Sequence, residues 1–182
     1  MTENILIAGF GGQGIMSLGQ MLCYGGMLEG REVSFLPSYG PEMRGGSANC
    51  MVIVSDEPVG APVFAQPDCV IAMNLPSLDK FESSVRPGGR LFVNSSLIER
   101  KATRDDIEVH YVPANDIAGE LGNPRVAGMV VLGAYLQCSG AVSHEAVLNA
   151  LKKVLGERKA NMIPINKDAL DRGAALVGAA AV

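Results

Sequence analysis

Ile5-Leu6-Ile7-Ala8-Gly9-Phe10-Gly11-Gly12-Gln13-Gly14 decides how the rest of the chain is read. The apolar run Ile5 to Ala8 makes a short buried strand. Glycines at 9, 11 and 14 then spell G-x-G-x-x-G, and Ile15 to Leu28 carries apolar residues at helical spacing. Strand, glycine turn and helix in that order are the context a phosphate-receiving turn requires. Gly9 is expected to allow the tight turn, Gly11 and Gly12 to leave backbone N–H groups open, and Gly14 to let the helix sit tightly on the sheet. Open N–H groups backed by a helix dipole favour an anion, typically a phosphate. A turn that only packs a helix onto a sheet would use the same glycines without any ligand.

A nicotinamide dinucleotide bound in this way needs one more group. An Asp or Glu roughly 20 residues beyond the glycines, at the end of the second strand, holds the ribose hydroxyls. Here the second strand reads Glu32-Val33-Ser34-Phe35-Leu36 and runs into Pro37-Ser38-Tyr39-Gly40-Pro41, so Glu32 begins the strand instead of ending it. The phosphate-loop pattern is present and the ribose acid is missing.

Gly30 closes the first helix. The segment Ser38-Tyr39-Gly40-Pro41-Glu42-Met43-Arg44-Gly45-Gly46-Ser47 follows the second strand; it is rich in turn formers yet carries Tyr39, Met43 and Arg44, residue types that anchor interfaces. Arg44 beside Gly45-Gly46 is placed to offer a guanidinium to a phosphate or carboxylate. Ala48 to Val54 is a compact strand with no room before it for a crossover helix, which allows it to run antiparallel to its neighbour. Further strands are read at Cys69–Met73, Arg90–Val93 and Val109–Val112, with a short helix from Leu75 toward Val85 and another through Leu121 capped by Asn115 or Asp116. Gly122-Asn123-Pro124-Arg125 precedes an apolar helix from Val126 to Cys138, in which Gly128 and Gly133 permit close backbone packing. Ser143 caps the next helix, which runs to Leu155, and Asn166 to Val177 forms the last. The basic residues Lys152, Lys153, Arg158 and Lys159 read as a solvated face that complements a helix C-terminus.

The 182 residues suit one domain, and no linker, repeat or low-complexity block divides them. The fold class expected for 1–182 is therefore α/β: a single Rossmann-like, three-layer domain, its sheet mostly parallel with room for one antiparallel strand, and helices on both faces. The 15 basic and 19 acidic residues leave a net charge of −4, with no basic stripe for a nucleic acid. No stretch approaches the roughly 20 apolar residues of a membrane span, and no signal peptide is read, so a cytoplasmic location is expected. Cys23, Cys50, Cys69 and Cys138 form no C-x-x-C pair and read as small apolar residues; no metal or iron–sulfur site is expected of this chain alone. His110 and His144 have no obvious partners, and no catalytic constellation is found.

Gly9-Phe10-Gly11-Gly12-Gln13-Gly14, Tyr39-Gly40-Pro41-Glu42-Met43-Arg44-Gly45-Gly46 and Asn123-Pro124-Arg125 before the glycine-bearing helix together resemble the gamma subunit of 2-oxoacid:ferredoxin oxidoreductases, over nearly the whole chain. The resemblance implies oxidative decarboxylation of a 2-oxo acid to an acyl-CoA, with electrons passed to ferredoxin. It places thiamine diphosphate in alpha and beta partner subunits and the iron–sulfur clusters in a ferredoxin-like (delta) subunit or segment. This chain, inactive alone, is then associated with assembly and with coenzyme A. Gly9, Gly11, Gly12, Gln13, Gly14, Arg44, Gly45 and Arg125 are the candidate residues for that cofactor. Two other readings remain beside it: a freestanding dinucleotide-binding enzyme, and a scaffold that binds no ligand.

Overall fold

The computed structural model describes residues 1–39 and 46–178. Six strands form one sheet: β1 (Thr2–Phe10), β2 (Glu32–Tyr39), β3 (Ser47–Ser55), β4 (Cys69–Ala72), β5 (Arg90–Asn94) and β6 (Glu108–Val112), in the order β2-β3-β1-β4-β5-β6. β4, β5 and β6 extend from β1 in parallel. β3 is inserted between β1 and β2 and runs antiparallel to both, with Ile5 opposite Val52 and Phe35 opposite the same residue from the other side. The strand after the glycine-rich connection is thus the antiparallel one, as its short lead-in requires. β2 continues past Leu36 through Pro37 to Tyr39, farther than its sequence suggests. It lies at the edge of the sheet, where a proline's missing N–H costs no ladder bond.

The strand side chains alternate between two cores. Ile5, Ile7, Cys69, Ile71 and Phe92 point to one face, where α1 (Ile15–Leu28), α3 (Ala114–Glu120), α4 (Ala127–Ser139), α5 (His144–Leu155) and α6 (Ile163–Gly178) supply the apolar partners. Leu6, Val70, Ala72, Leu91 and Val93 point to the other face, covered by α2 (Leu75–Phe81), a 3₁₀ turn at Glu82–Ser84 and the segment around Ile98. Helices therefore lie on both faces, though unequally. β4, at the centre, is buried along its whole length, as the continuous apolar run of a doubly covered parallel strand demands.

α4 is buried on all sides from Ala127 to Leu136, which a helix apolar all round must be. Its contact with α6 depends on glycine. A Cβ on Gly133 would run into the Leu170 carbonyl, and one on Gly173 into the Val130 carbonyl. Two expected boundaries shift. α6 begins at Ile163, with Pro164 in its first turn, where no N–H is required. α3 begins at Ala114 with Pro113 as its N-cap residue and no side-chain cap, so neither Asn115 nor Asp116 caps it; the Asp116 amide instead donates to Ser96 Oγ at 3.0 Å.

Candidate functional site

β1 and β4 are neighbours, yet the helices that follow them leave on opposite faces of the sheet, α1 to one and α2 to the other. The carboxyl ends of this pair are where open α/β sheets place their ligands. The glycine turn sits there.

Its glycines do different work from that expected. Gly9 remains in β1, opposite Ala48, and makes no turn. A Cβ there would meet Gln13 Oε1 at 2.5 Å and Ile15 Cδ1 at 2.8 Å, so its missing side chain is the space into which Gln13 folds. Gly12 (φ 94°) and Gly14 (φ 76°) adopt left-handed backbone with nothing near their Cβ positions, and they make the turn. Gly14 is also the N-cap residue of α1, required for its conformation and not for close packing on the sheet. The Gly11 amide is not open: it donates to the Gly46 carbonyl at 3.0 Å, and the Gln13 amide donates to Phe10 O at 3.2 Å. The amides left open are therefore those of the first turn of α1. No side chain caps that helix, and Leu18 is the first amide to reach back, to Gly14 O. Gly14, Ile15, Met16 and Ser17 carry the N–H groups that a helix start leaves without partners.

Gln13 is a brace. Its Oε1 accepts from the Phe10 amide at 2.6 Å and its Nε2 donates to Met73 O at 3.3 Å, joining the ends of β1 and β4. The same carbonyl accepts from Asn94 Nδ2 at 3.3 Å, and Asn94 Nδ2 also donates to Asn115 Oδ1 at 2.8 Å. One line of side-chain amides thus runs along the carboxyl edge from β1 to α3. Asn94 is fully buried, and its Oδ1 has no partner among the described residues.

Three depressions surround the turn. The largest, about 390 Å³, lies between α1, α4, α5 and α6; Leu18, Met21, Met129 and Leu151 give it apolar walls, and Ser17, Arg125, Lys159, Asn161 and Asn166 give it polar groups. A second, about 230 Å³, is bounded by Gly12, Gln13, Met73, Asn115 and Arg125. A third, about 250 Å³, sits on the other side of the turn between Phe10, Gly12, Met16 and Tyr39. Among the described residues no Asp or Glu lines any of them. Arg125 borders the first two, held at the start of its 3₁₀ turn by a hydrogen bond that its backbone N–H donates to Asn123 Oδ1 at 3.0 Å.

Gly9, Gly11, Gly12, Gln13, Gly14 and Arg125 are accordingly brought together, while Arg44 and Gly45 lie outside the described residues. Sequence reasoning missed Lys159, which belongs to the basic cluster assigned to solvent, and Asn94 and Asn115, whose signal was a polar residue ending a buried strand or opening the next helix. It left His110 without partners, whereas the ring stacks on Phe92 and contacts Glu108 and Cys138. No described helix is long and apolar enough to cross a membrane.

An open, mostly parallel sheet with a glycine turn leading into a helix start that no side chain caps defines a single α/β domain of the doubly wound kind. The chain belongs to the pyruvate ferredoxin/flavodoxin oxidoreductase family, whose model matches residues 4–176. It is 37% identical over 172 residues to ketoisovalerate oxidoreductase subunit VorA of Methanothermobacter marburgensis, covering 94% of this chain and 36% of the relative. The chain thus spans about a third of that relative's length. The keto/oxoacid ferredoxin oxidoreductase gamma subunit from Geobacter sulfurreducens PCA superposes with a TM-score of 0.83 at 28% identity, over 97% of this chain and 99% of that one. The 2-oxoglutarate:ferredoxin oxidoreductase from Magnetococcus marinus, solved with 2-oxoglutarate, coenzyme A and succinyl-CoA bound, shares the fold at a TM-score of 0.90 and 24% identity, over 98% of this chain and 31% of that one.

Proposed function

We propose that this chain is the gamma subunit of a 2-oxoacid:ferredoxin oxidoreductase, and that it contributes coenzyme A binding and assembly to a reaction whose chemistry is carried by partner subunits. The observation that carries the reading is the uncapped start of α1 with Arg125 beside it and no described carboxylate nearby. Coenzyme A bears a pyrophosphate and a further phosphate. The N–H groups of Gly14, Ile15, Met16 and Ser17 would receive phosphate oxygens, and Arg125 and Lys159 would supply opposing charge. The 390 Å³ depression falls within the range of small-molecule sites and offers apolar walls to an uncharged part of the ligand.

Neither free reading gains from the structure. A dinucleotide-binding enzyme would want an acid at the end of β2, and Glu32 sits at the opposite end, paired with Ser55. A pure scaffold has no use for an uncapped helix start that shares a depression with two cations, Arg125 and Lys159. Thiamine diphosphate and the clusters belong, in this proposal, to alpha, beta and ferredoxin-like partners. The relatives' names carry different 2-oxo acids, in keeping with a substrate chosen outside this domain.

The test is anaerobic purification of the tagged chain from its own cells, followed by ferredoxin-linked assays. Larger subunits, cluster absorbance and coenzyme A-dependent oxidation of a 2-oxo acid are expected. In that complex Arg125→Ala should raise the coenzyme A concentration for half-maximal rate roughly tenfold, with little change at saturation, the loss expected of one charge-assisted hydrogen bond. A chain that purifies alone and colourless, or an unchanged coenzyme A dependence in the variant, would count against the proposal at the subunit or the ligand level respectively.

A further inference from the structure

At the sheet edge farthest from β2, and away from the glycine turn, a different group of side chains converges. Glu108 and His110 stand two residues apart on β6 and so share one face of the sheet. Phe92 of β5 lies under the imidazole, with ring centroids 4.8 Å apart and planes inclined by 17°, which fixes the plane of the ring. Cys138, near the end of α4, brings its Sγ to 3.6 Å from His110 Nε2, and Glu108 Oε1 lies 2.7 Å from the same nitrogen. The three donor atoms are all within 4.8 Å of one another. Arg90 secures the end of α4 by donating to the Cys138 carbonyl at 3.2 Å, while its other nitrogen is paired with Glu3 at 2.8 Å.

This is not the layout of a thiol activated for attack. In such a relay the acid holds the imidazole nitrogen remote from the nucleophile, so that the near nitrogen is free to take the proton. Here thiol and carboxylate both address Nε2, and Nε2 carries at most one hydrogen to offer them. A cation at the meeting point would satisfy all three donors. We infer that Glu108, His110 and Cys138 form a binding site for a divalent transition metal, zinc above all.

The spacing supports this. With metal–sulfur and metal–nitrogen bonds of about 2.3 and 2.05 Å at a tetrahedral angle, sulfur and nitrogen lie about 3.6 Å apart. The separation in the structure is 3.6 Å. To reach tetrahedral spacing on the same bond lengths, the carboxylate must withdraw from Nε2 by about 0.6 Å and close to about 3.6 Å from the sulfur, from which it now lies within 4.8 Å; Glu108 is exposed and can turn to do so. Thiolate, imidazole and carboxylate are a donor set suited to zinc, and a site with three protein ligands keeps its fourth position for water. Carboxylate and thiolate together balance the ion's charge. The site would tie edge strand β6 to the end of α4, and it stands independently of the coenzyme A proposal.

The test is titration of the metal-free, full-length chain with cobalt(II) under anaerobic, thiol-free conditions. A near-ultraviolet thiolate-to-cobalt band saturating at one ion per chain is expected, displaced by zinc. Cys138→Ser should abolish the band, and Glu108→Gln should weaken binding about tenfold or more. Since a variant can fail to fold, a second measurement uses the unaltered chain: zinc should slow alkylation of Cys138 at least tenfold, read by peptide mass spectrometry. Cys23, Cys50 and Cys69 are buried and serve as internal references. No band at stoichiometric cobalt, a band that survives in Cys138→Ser, or alkylation unchanged by zinc would overturn the inference.

Discussion

Gly9 and Gly14 belong to one motif, but alanine should harm them for different reasons. At Gly14 the backbone is left-handed and the Cβ position is empty, so Gly14→Ala meets only conformational strain. A loss of about 1–2 kcal/mol is expected in chemical denaturation, and Gly14→Asn should recover part of it, because asparagine visits this region more readily. At Gly9 the backbone is ordinary and the space is full, so Gly9→Ala must displace Gln13 and break the brace between β1 and β4. The expected cost is about 1–3 kcal/mol, and no asparagine rescue should occur. Equal losses with equal rescue at both positions would refute this division of labour. The spelling G-x-G-x-x-G made the turn legible; it held no information about Gln13, because the brace depends on a carbonyl 60 residues away.

Among the elements, the connection from β5 to β6 rests, at residues 100–104, on one carboxylate beyond the end of α2. Glu82 accepts from the amides of Thr103 and Arg104, from Thr103 Oγ1 and from Arg100 Nη2 at 2.9 Å. Burial alone would push this carboxyl up, but those donors together hold it below its ordinary value of 4.5. A carboxyl depressed in the folded state stabilises it above the unfolded value, and that contribution fades as pH falls through the lower, folded value. Glu82→Gln should therefore lose about 2 kcal/mol near neutral pH and show a flatter decline below pH 4.5 than the parent chain in pH-dependent urea denaturation. An acid limb unchanged by the substitution would remove Glu82 from this role. The strands and long helices were readable because their apolar periods are strong. The α4–α6 contact was readable only by half: Gly133 is conspicuous in an apolar helix, while Gly173 lies in a helix of mixed polarity where nothing marks it as a packing residue.

For the whole molecule, the exposed aromatic side chains beside the turn suggest which side faces partners. Phe10 and Tyr39 border the same depression, and Tyr39 is 68% exposed at the end of an edge strand. In the proposed complex Tyr39→Ala should weaken subunit association on the order of tenfold or more, as loss of a buried aromatic anchor does, without lowering the unfolding midpoint of the isolated chain. Undiminished association would place the interface elsewhere. The reversal of β3 has a consequence for how such a surface can diversify. A crossover between parallel strands needs a dozen or more residues and usually a helix, whereas an antiparallel return can be made with very few. Because β3 runs antiparallel to β2, and the residues that flank their join, Tyr39 and Gly46, lie beside the glycine turn, descendants of this chain can lengthen, shorten or rewrite that join without altering the order of the sheet. Novelty beside the glycine turn comes cheaply here, while the parallel half of the domain has to stay as it is.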